Sequence, residues 1–246
     1  MGQSMRVGKY LAAAWLALGA VAASAAEHPD FTGVWTNASG PGIGGATNTA
    51  AGPLPFTPLA QGRVAAYQKL TGGTDDSPGY WCVGTGMPGS MLGSGGYPME
   101  ILQRPEQINI VYEAHSEIRR IYFGDRNAPQ ADRLASRGGY SSGRWEGDTL
   151  VVETDNLVDQ VDQRTPHSED ATIVERYKLE GTDAQGRRIL AVEMTMTDPK
   201  FYTKPVTLQK RWAQVPNGRV LPYECTAETW YERIEAMAKK AGVPIP

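Results

Sequence analysis

Gly138-Gly139-Tyr140-Ser141-Ser142-Gly143-Arg144-Trp145-Glu146-Gly147-Asp148-Thr149-Leu150-Val151-Val152-Glu153-Thr154-Asp155 is the stretch on which the fold turns. Gly147-Asp148 separates a segment ending at Trp145 from Thr149–Thr154, whose β-branched residues fit a pleated surface. This predicts a β-hairpin with a tight turn, each strand buried on at least one face. The stretch also contains a misleading match, because Gly139-Tyr140-Ser141-Ser142-Gly143 has the form G-x-S-x-G. In α/β-hydrolases that motif needs a strand, a sharp turn and then a helix. Here a second strand follows and no βαβ pattern exists, so a serine nucleophile is set aside.

Outward from the hairpin, short strands come in quick succession. Met99–Gln103, Ile108–Ala114 and Ile118–Phe123 read as a meander, with Ile108, Ile110 and Tyr112 on one face and Val111, Glu113 and His115 on the other. Ala171–Leu179, Ile189–Thr197 and Val206–Trp212 follow, and a last short strand is expected to reach Cys225. The expected class is all-β: an antiparallel, calycin-like barrel, or a sandwich, of about eight or more strands. Two helices accompany it. Thr57-Pro58 is a cap followed by proline at the first helical position, ahead of Leu59, Ala66, Tyr67 and Leu70 at helical spacing. The C-terminal helix, 226–242, is capped by Thr226, carries the stripe Trp230, Ile234, Met237 and Ala241, and stops at Gly242.

The chain starts with basic Arg6 and Lys9, an apolar run from Tyr10 to Ala22, and Ala23-Ser24-Ala25. This reads as a signal peptide over 1–25, with a membrane anchor as the alternative, and places the mature protein, 26–246, as a single domain in the periplasm or outside the cell. Removing Arg6 and Lys9 leaves 22 basic residues against 27 acidic, a net charge of −5. That balance argues against a nucleic-acid partner, and no membrane span is expected after cleavage. Cys82 and Cys225 are the only cysteines. In an oxidising compartment they are expected to pair, the alternative being two free thiols. The Gly-rich stretch 38–55 reads as a mobile loop. The stretch 74–98, with Met87, Met91 and Leu92, reads as a loop laid across the barrel and tied down by Cys82, the alternative being a surface excursion.

Candidate chemistry follows from strand parity. Glu153 and Asp155 share a face with Val151, Glu175 shares one with Ile173 and Tyr177, and Asp198 shares one with Val192, Met194 and Met196. A carboxylate on an apolar face is expensive unless paired. A polar pocket is therefore expected, with Arg119, Arg126 and Arg176 as counter-ions; a structural ion-pair cluster at the rim is the alternative. His167, in a loop entering a strand, and Tyr140 are the candidate proton carriers, with Asp155 or Glu153 assisting. Candidate substrate contacts are Arg119, Arg126, Glu113, His115, Tyr112, Trp145, Glu175, Met194 and Tyr202. With three histidines, no H-x-H pair and no H-E-x-x-H, no metal site is expected, and no phosphate loop or dinucleotide fingerprint calls for a cofactor. The expectation is an enzyme without a cofactor, a lyase, hydratase, isomerase or hydrolase acting on a small organic molecule by acid-base chemistry. The alternative is a non-catalytic small-molecule carrier or sensor.

Two resemblances bear on this. Gly33-Val34-Trp35 resembles the G-x-W opening of lipocalin-type barrels, which implies that a late arginine, here Arg211, packs over Trp35. The C-x-G-x-G-M-P at Cys82, Pro98–Pro105, the central G-x-S-x-G-R-W-E-G-D-T-L-V-V-E-T and Thr197–Pro205 together resemble a large group of exported bacterial proteins. Membership implies export and a common fold rather than a particular reaction. The group often carries D-G-R-x-H-P and G-H-S, where this chain has Gly124-Asp125-Arg126-Asn127-Ala128-Pro129 and Gly139-Tyr140-Ser141.

Overall fold

A computed structural model describes residues 28–38, 53–72, 78–93, 96–225 and 228–245. The expected signal peptide, Thr226 and most of the Gly-rich stretch lie outside them. The hairpin is present as β5 (Tyr140–Glu146) and β6 (Thr149–Asp155), with Glu146 facing Thr149. Gly147, at φ 59°, supplies the positive dihedral that a two-residue hairpin loop needs.

The other strands are β1 (Gly33–Asn37), β2 (Met99–Arg104), β3 (Gln107–Tyr112), β4 (Ile118–Tyr122), β7 (Thr172–Thr182), β8 (Arg188–Thr197) and β9 (Val206–Val215). They follow one another around a closed barrel, and β1 closes it by pairing with β9. The sheet is mixed, which corrects the antiparallel expectation. β4 and β5 run parallel, with Ile121 facing Ser141 and Tyr122 facing Ser142. The crossover 123–139 causes this, because it carries the chain back along the wall instead of turning it in a hairpin. No strand forms at 219–225; Leu221 N donates to Glu113 instead, and Tyr223 packs edge-on against His115 and Tyr97.

Alternate residues of each strand fill the barrel. Trp35, Ile101, Ile110, Ile121, Leu150, Ile173, Leu190 and Met194 belong to one continuous core. Trp35 Nε1 donates to Phe31 O at 2.9 Å. The cation above the Trp35 ring is Arg188, at 5.7 Å, rather than Arg211, which pairs with Glu180. The parities of β9 and β8 explain this: Arg211 points outward between buried Lys210 and Trp212.

Helix α1 (Pro58–Leu70) starts as read, with Thr57 Oγ1 accepting from Ala60 N at 3.3 Å. Its inner stripe is shifted, however: Ala60 and Leu70 are buried and Leu59 is exposed. Residues 84–93, ending in the short helix α2 (Gly89–Gly93), lie over the barrel and insert Met87, Met91 and Leu92 into its core. The covering loop expected at 74–98 is therefore present in its described part. Helix α3 (Glu228–Ala241) packs outside the sheet, where Trp230, Ile234 and Ala238 meet Leu70 and Val83. Cys82 and Cys225 form the expected disulfide, with Cα atoms 5.4 Å apart, joining the cover to the C-terminal segment.

Candidate functional site

The barrel interior holds a buried charge. Arg119 of β4 and Glu175 of β7 form an ion pair whose side chains are 6% and 0% exposed. Arg119 Nε donates to Ser141 Oγ at 3.0 Å. Its Nη1 donates to Glu175 Oε1 at 2.9 Å and Tyr177 OH at 3.4 Å, and its Nη2 donates to Thr154 Oγ1 at 2.8 Å and to Glu175 Oε2. A guanidinium has five N–H donors, and all five are used. Burial opposes the Arg119 charge, but Glu175 overcomes that opposition and holds the group above its ordinary value. Burial and Glu175 together push the Tyr177 phenol well up, so it stays protonated and donates to Glu175 Oε1 at 2.8 Å.

A cleft of about 280 Å³ opens above this pair, beside the parallel β4–β5 junction. The cover contributes Gly86, Met87 and Ser90; the crossover and β5 contribute Gly138 to Ser141; Tyr112 and Arg119 come from the barrel wall. Gly86 sets how close the two sides come. Its φ is +70°, and a Cβ there would lie 2.3 Å from Arg137 O. Glu117 fixes the cover from beneath, accepting from Gly86 N at 3.0 Å and Ser90 Oγ at 2.5 Å. Tyr122 and Tyr140 line the cleft as stacked rings 5.3 Å apart. Arg133 lies over the outer ring of the pair, 4.5 Å from the Tyr140 centroid.

Tyr112 is the unusual wall residue. It is 2% exposed, and its buried hydroxyl has the donor Arg119 as a polar neighbour but no acceptor for its own proton. Burial raises its pKa strongly and outweighs the lowering effect of Arg119, so the phenol is a donor. A buried donor without an acceptor costs about 1–3 kcal/mol, and one facing a cleft can recover that from a ligand.

The sequence-derived site is only partly assembled. Arg119, Glu175 and Tyr112 come together, and Tyr140 joins them in the cleft wall, where its hydroxyl accepts from Ala128 N at 2.6 Å. His167 does not join them. It is 0% exposed, with Nδ1 3.1 Å from Ser168 O and Nε2 3.0 Å from Met87 O. Burial, opposed by those carbonyls, lowers its pKa; the neutral ring has one N–H and donates to only one of the two carbonyls under the cover.

Glu153 is a correction, because it lies on the outer face, exposed, and paired with Arg144. Leu150, Val152 and Thr154 point inward instead, opposite Tyr177, Glu175 and Ile173. Asp155 sits at the strand end, bound to Arg133 at 2.7 Å. Arg126 is exposed on the crossover, and Arg176 pairs outside with Glu146. Asp198 binds Ser168 N at 2.7 Å and Ser168 Oγ at 2.8 Å, fixing a loop.

The remaining residues are structural in their contacts. Glu113 holds Leu221 N at 2.7 Å, and His115 Nε2 lies 2.8 Å from Gly79 O. Trp145 stacks on His28 at 4.5 Å. Met194 is core, and Tyr202, expected on a loop, is buried and donates to Pro166 O at 2.5 Å. Among the described residues, no group of three or more His, Cys, Asp or Glu is placed to hold a metal, and no helix is long and apolar enough to cross a membrane.

Sequence reasoning missed Glu117, Ser141, Thr154 and Lys210. Parity held the signal for two of them. Thr154 alternates with Leu150 and Val152, and Lys210 stands between Leu208 and Trp212 in the repeat Val206-x-Leu208-x-Lys210-x-Trp212. Comparison with family models, with curated proteins and with solved structures found no match in any of the three.

Proposed function

We propose that this chain is a small-molecule-binding barrel protein, a carrier or sensor, whose cleft takes a small, uncharged, flat compound with a carbonyl-type acceptor. The observation that carries this reading is the buried Tyr112 hydroxyl in the cleft wall, which has no acceptor for its proton. Three features narrow the ligand. Arg119 has no donor left for a carboxylate and its charge is balanced by Glu175. Glu117 adds a carboxylate to the wall, while Tyr122 and Tyr140 offer ring faces for a planar body. The cleft volume, about 280 Å³, lies at the small end for a ligand site.

The acid-base enzyme reading has less support, because Asp155 lies opposite Tyr140 but is tied to Arg133, while His167 is buried under the cover and Glu153 lies on the outer face. The resemblance to exported bacterial proteins and the disulfide both favour an extracytoplasmic location, with the periplasm as the proposed site of action.

The test is native mass spectrometry with a panel of neutral aromatic ketones and amides and their carboxylate counterparts. The neutral members should bind, and Tyr112→Phe should weaken them by about tenfold, the value of one hydrogen bond. Preferential binding of the carboxylates, or affinity unchanged by Tyr112→Phe, overturns the proposal.

A further inference from the structure

The barrel contains a second buried cation that the cleft does not use. Lys210 points inward from β9 on the same face as Leu208 and Trp212, and is 6% exposed. Its Nζ donates to Leu92 O at 3.1 Å, at the end of the cover, and lies 5.9 Å from the Trp212 ring centroid. Among the described residues no carboxylate is within ion-pair distance of it. Its neighbour across the sheet is Val192. The amine therefore stands in an apolar setting with a single carbonyl partner.

Its place in the wall matters as much. β1 pairs with β9 from Asn37 opposite Trp212 to Val34 opposite Val215, and Ala38 N reaches Arg211 O. Over Val206–Lys210, no described strand pairs with that edge of β9. The Leu92 carbonyl that holds the amine lies at the end of the cover, so a small molecule reaching Lys210 must displace that end.

We propose that Lys210 is an imine-forming site for a small apolar aldehyde or ketone. The unprotonated amine attacks the carbonyl carbon to form the C–N bond, the carbonyl oxygen takes up the nitrogen's proton to give a carbinolamine, and loss of one water leaves the imine. No oxidant or reductant is required. Apolar burial without a counter-ion favours the neutral amine, and desolvation brings the Lys210 pKa from the ordinary 10.5 down to about 8. At pH 8 about half of the Lys210 amine is then free base, against well under about 1% for an ordinary lysine. The site is separate from the cleft, although α2 borders both through Ser90 and Leu92.

The experiment treats the folded protein with limiting propanal and sodium cyanoborohydride, which fixes any imine as a secondary amine, and maps the label by peptide mass spectrometry. Lys210 should label about tenfold faster than exposed Lys178 and Lys204 at pH 7.5, with a pH midpoint near 8. Lys210→Arg should lose that site while retaining the native thermal transition and the labelling of other lysines. Two results overturn the proposal: Lys210 labelled no faster than the exposed lysines, or Lys210 protected until the protein is unfolded. Because the measurement reads the wild-type protein, it stands even where the variant folds poorly, and it is independent of the ligand panel for the cleft.

Discussion

Arg119 and Lys210 are both basic residues inside the same barrel, and their surroundings are opposite. Arg119 lies at the β4–β5 side, with every donor used and Glu175 against it; Lys210 lies at the β9 edge, with one backbone carbonyl and no carboxylate among the described residues. The first arrangement keeps its charge and the second favours losing it. A charge that is fully paired is committed to the fold, whereas one left with a single weak partner remains available for chemistry.

The largest expected effect breaks the paired side. Arg119→Met should cost about 3–5 kcal/mol in urea unfolding, because Glu175 is left buried without its partner. Arg119→Met/Glu175→Met should recover much of that loss, since two apolar side chains leave no stranded charge. A double variant as unstable as the single one would mean that the pair contributes net stability.

Cys82→Ser should cost about 3 kcal/mol, toward the lower part of the range for closing so long a loop. Hydrogen exchange should rise in 84–93 and α3 and stay unchanged in β6 and β7. Uniform acceleration would show that the Lys210 side does not depend on the staple more than the Arg119 side does.

A smaller effect sharpens the comparison through pH. The folded-state pKa of Lys210, about 8, lies below its ordinary 10.5, so between those values the unfolded chain holds a proton that the folded chain has released. Wild-type stability should therefore rise through that window. Lys210→Met should be the more stable form at pH 7 by about 2–3 kcal/mol, and the difference should vanish above about pH 10.5. A pH-independent difference would mean that Lys210 is not desolvated. Tyr112→Phe should have the smallest effect, raising the stability of the ligand-free protein by about 1 kcal/mol, because it removes a buried hydroxyl that has no acceptor.

What could be read from the sequence follows from how local each signal is. The Thr57-Pro58 helix start and the Gly147-Asp148 hairpin depend on adjacent residues, and both are present. Glu175 was legible because β7 alternates cleanly, with Ile173, Glu175 and Tyr177 buried and their neighbours exposed. β6 misled because Val151 is buried on the outer face as Val152 is on the inner one, so apolar residues did not mark the inside, and Glu153 was assigned to the wrong side. The parallel β4–β5 pairing depends on how 123–139 crosses the wall, which no residue pattern specifies. The cleft was not legible as a site, because its walls come from residues 86–90, 112–122 and 136–141, which meet only in the folded chain.

Closure of this molecule is postponed until its ninth strand has been made. The first strand waits for the ninth to supply its second neighbour, and the thiol at 82 waits for the one at 225. A chain interrupted before Val206 has neither a sealed cylinder nor a fastened roof, so the interior stays open to water until the ninth strand is in place.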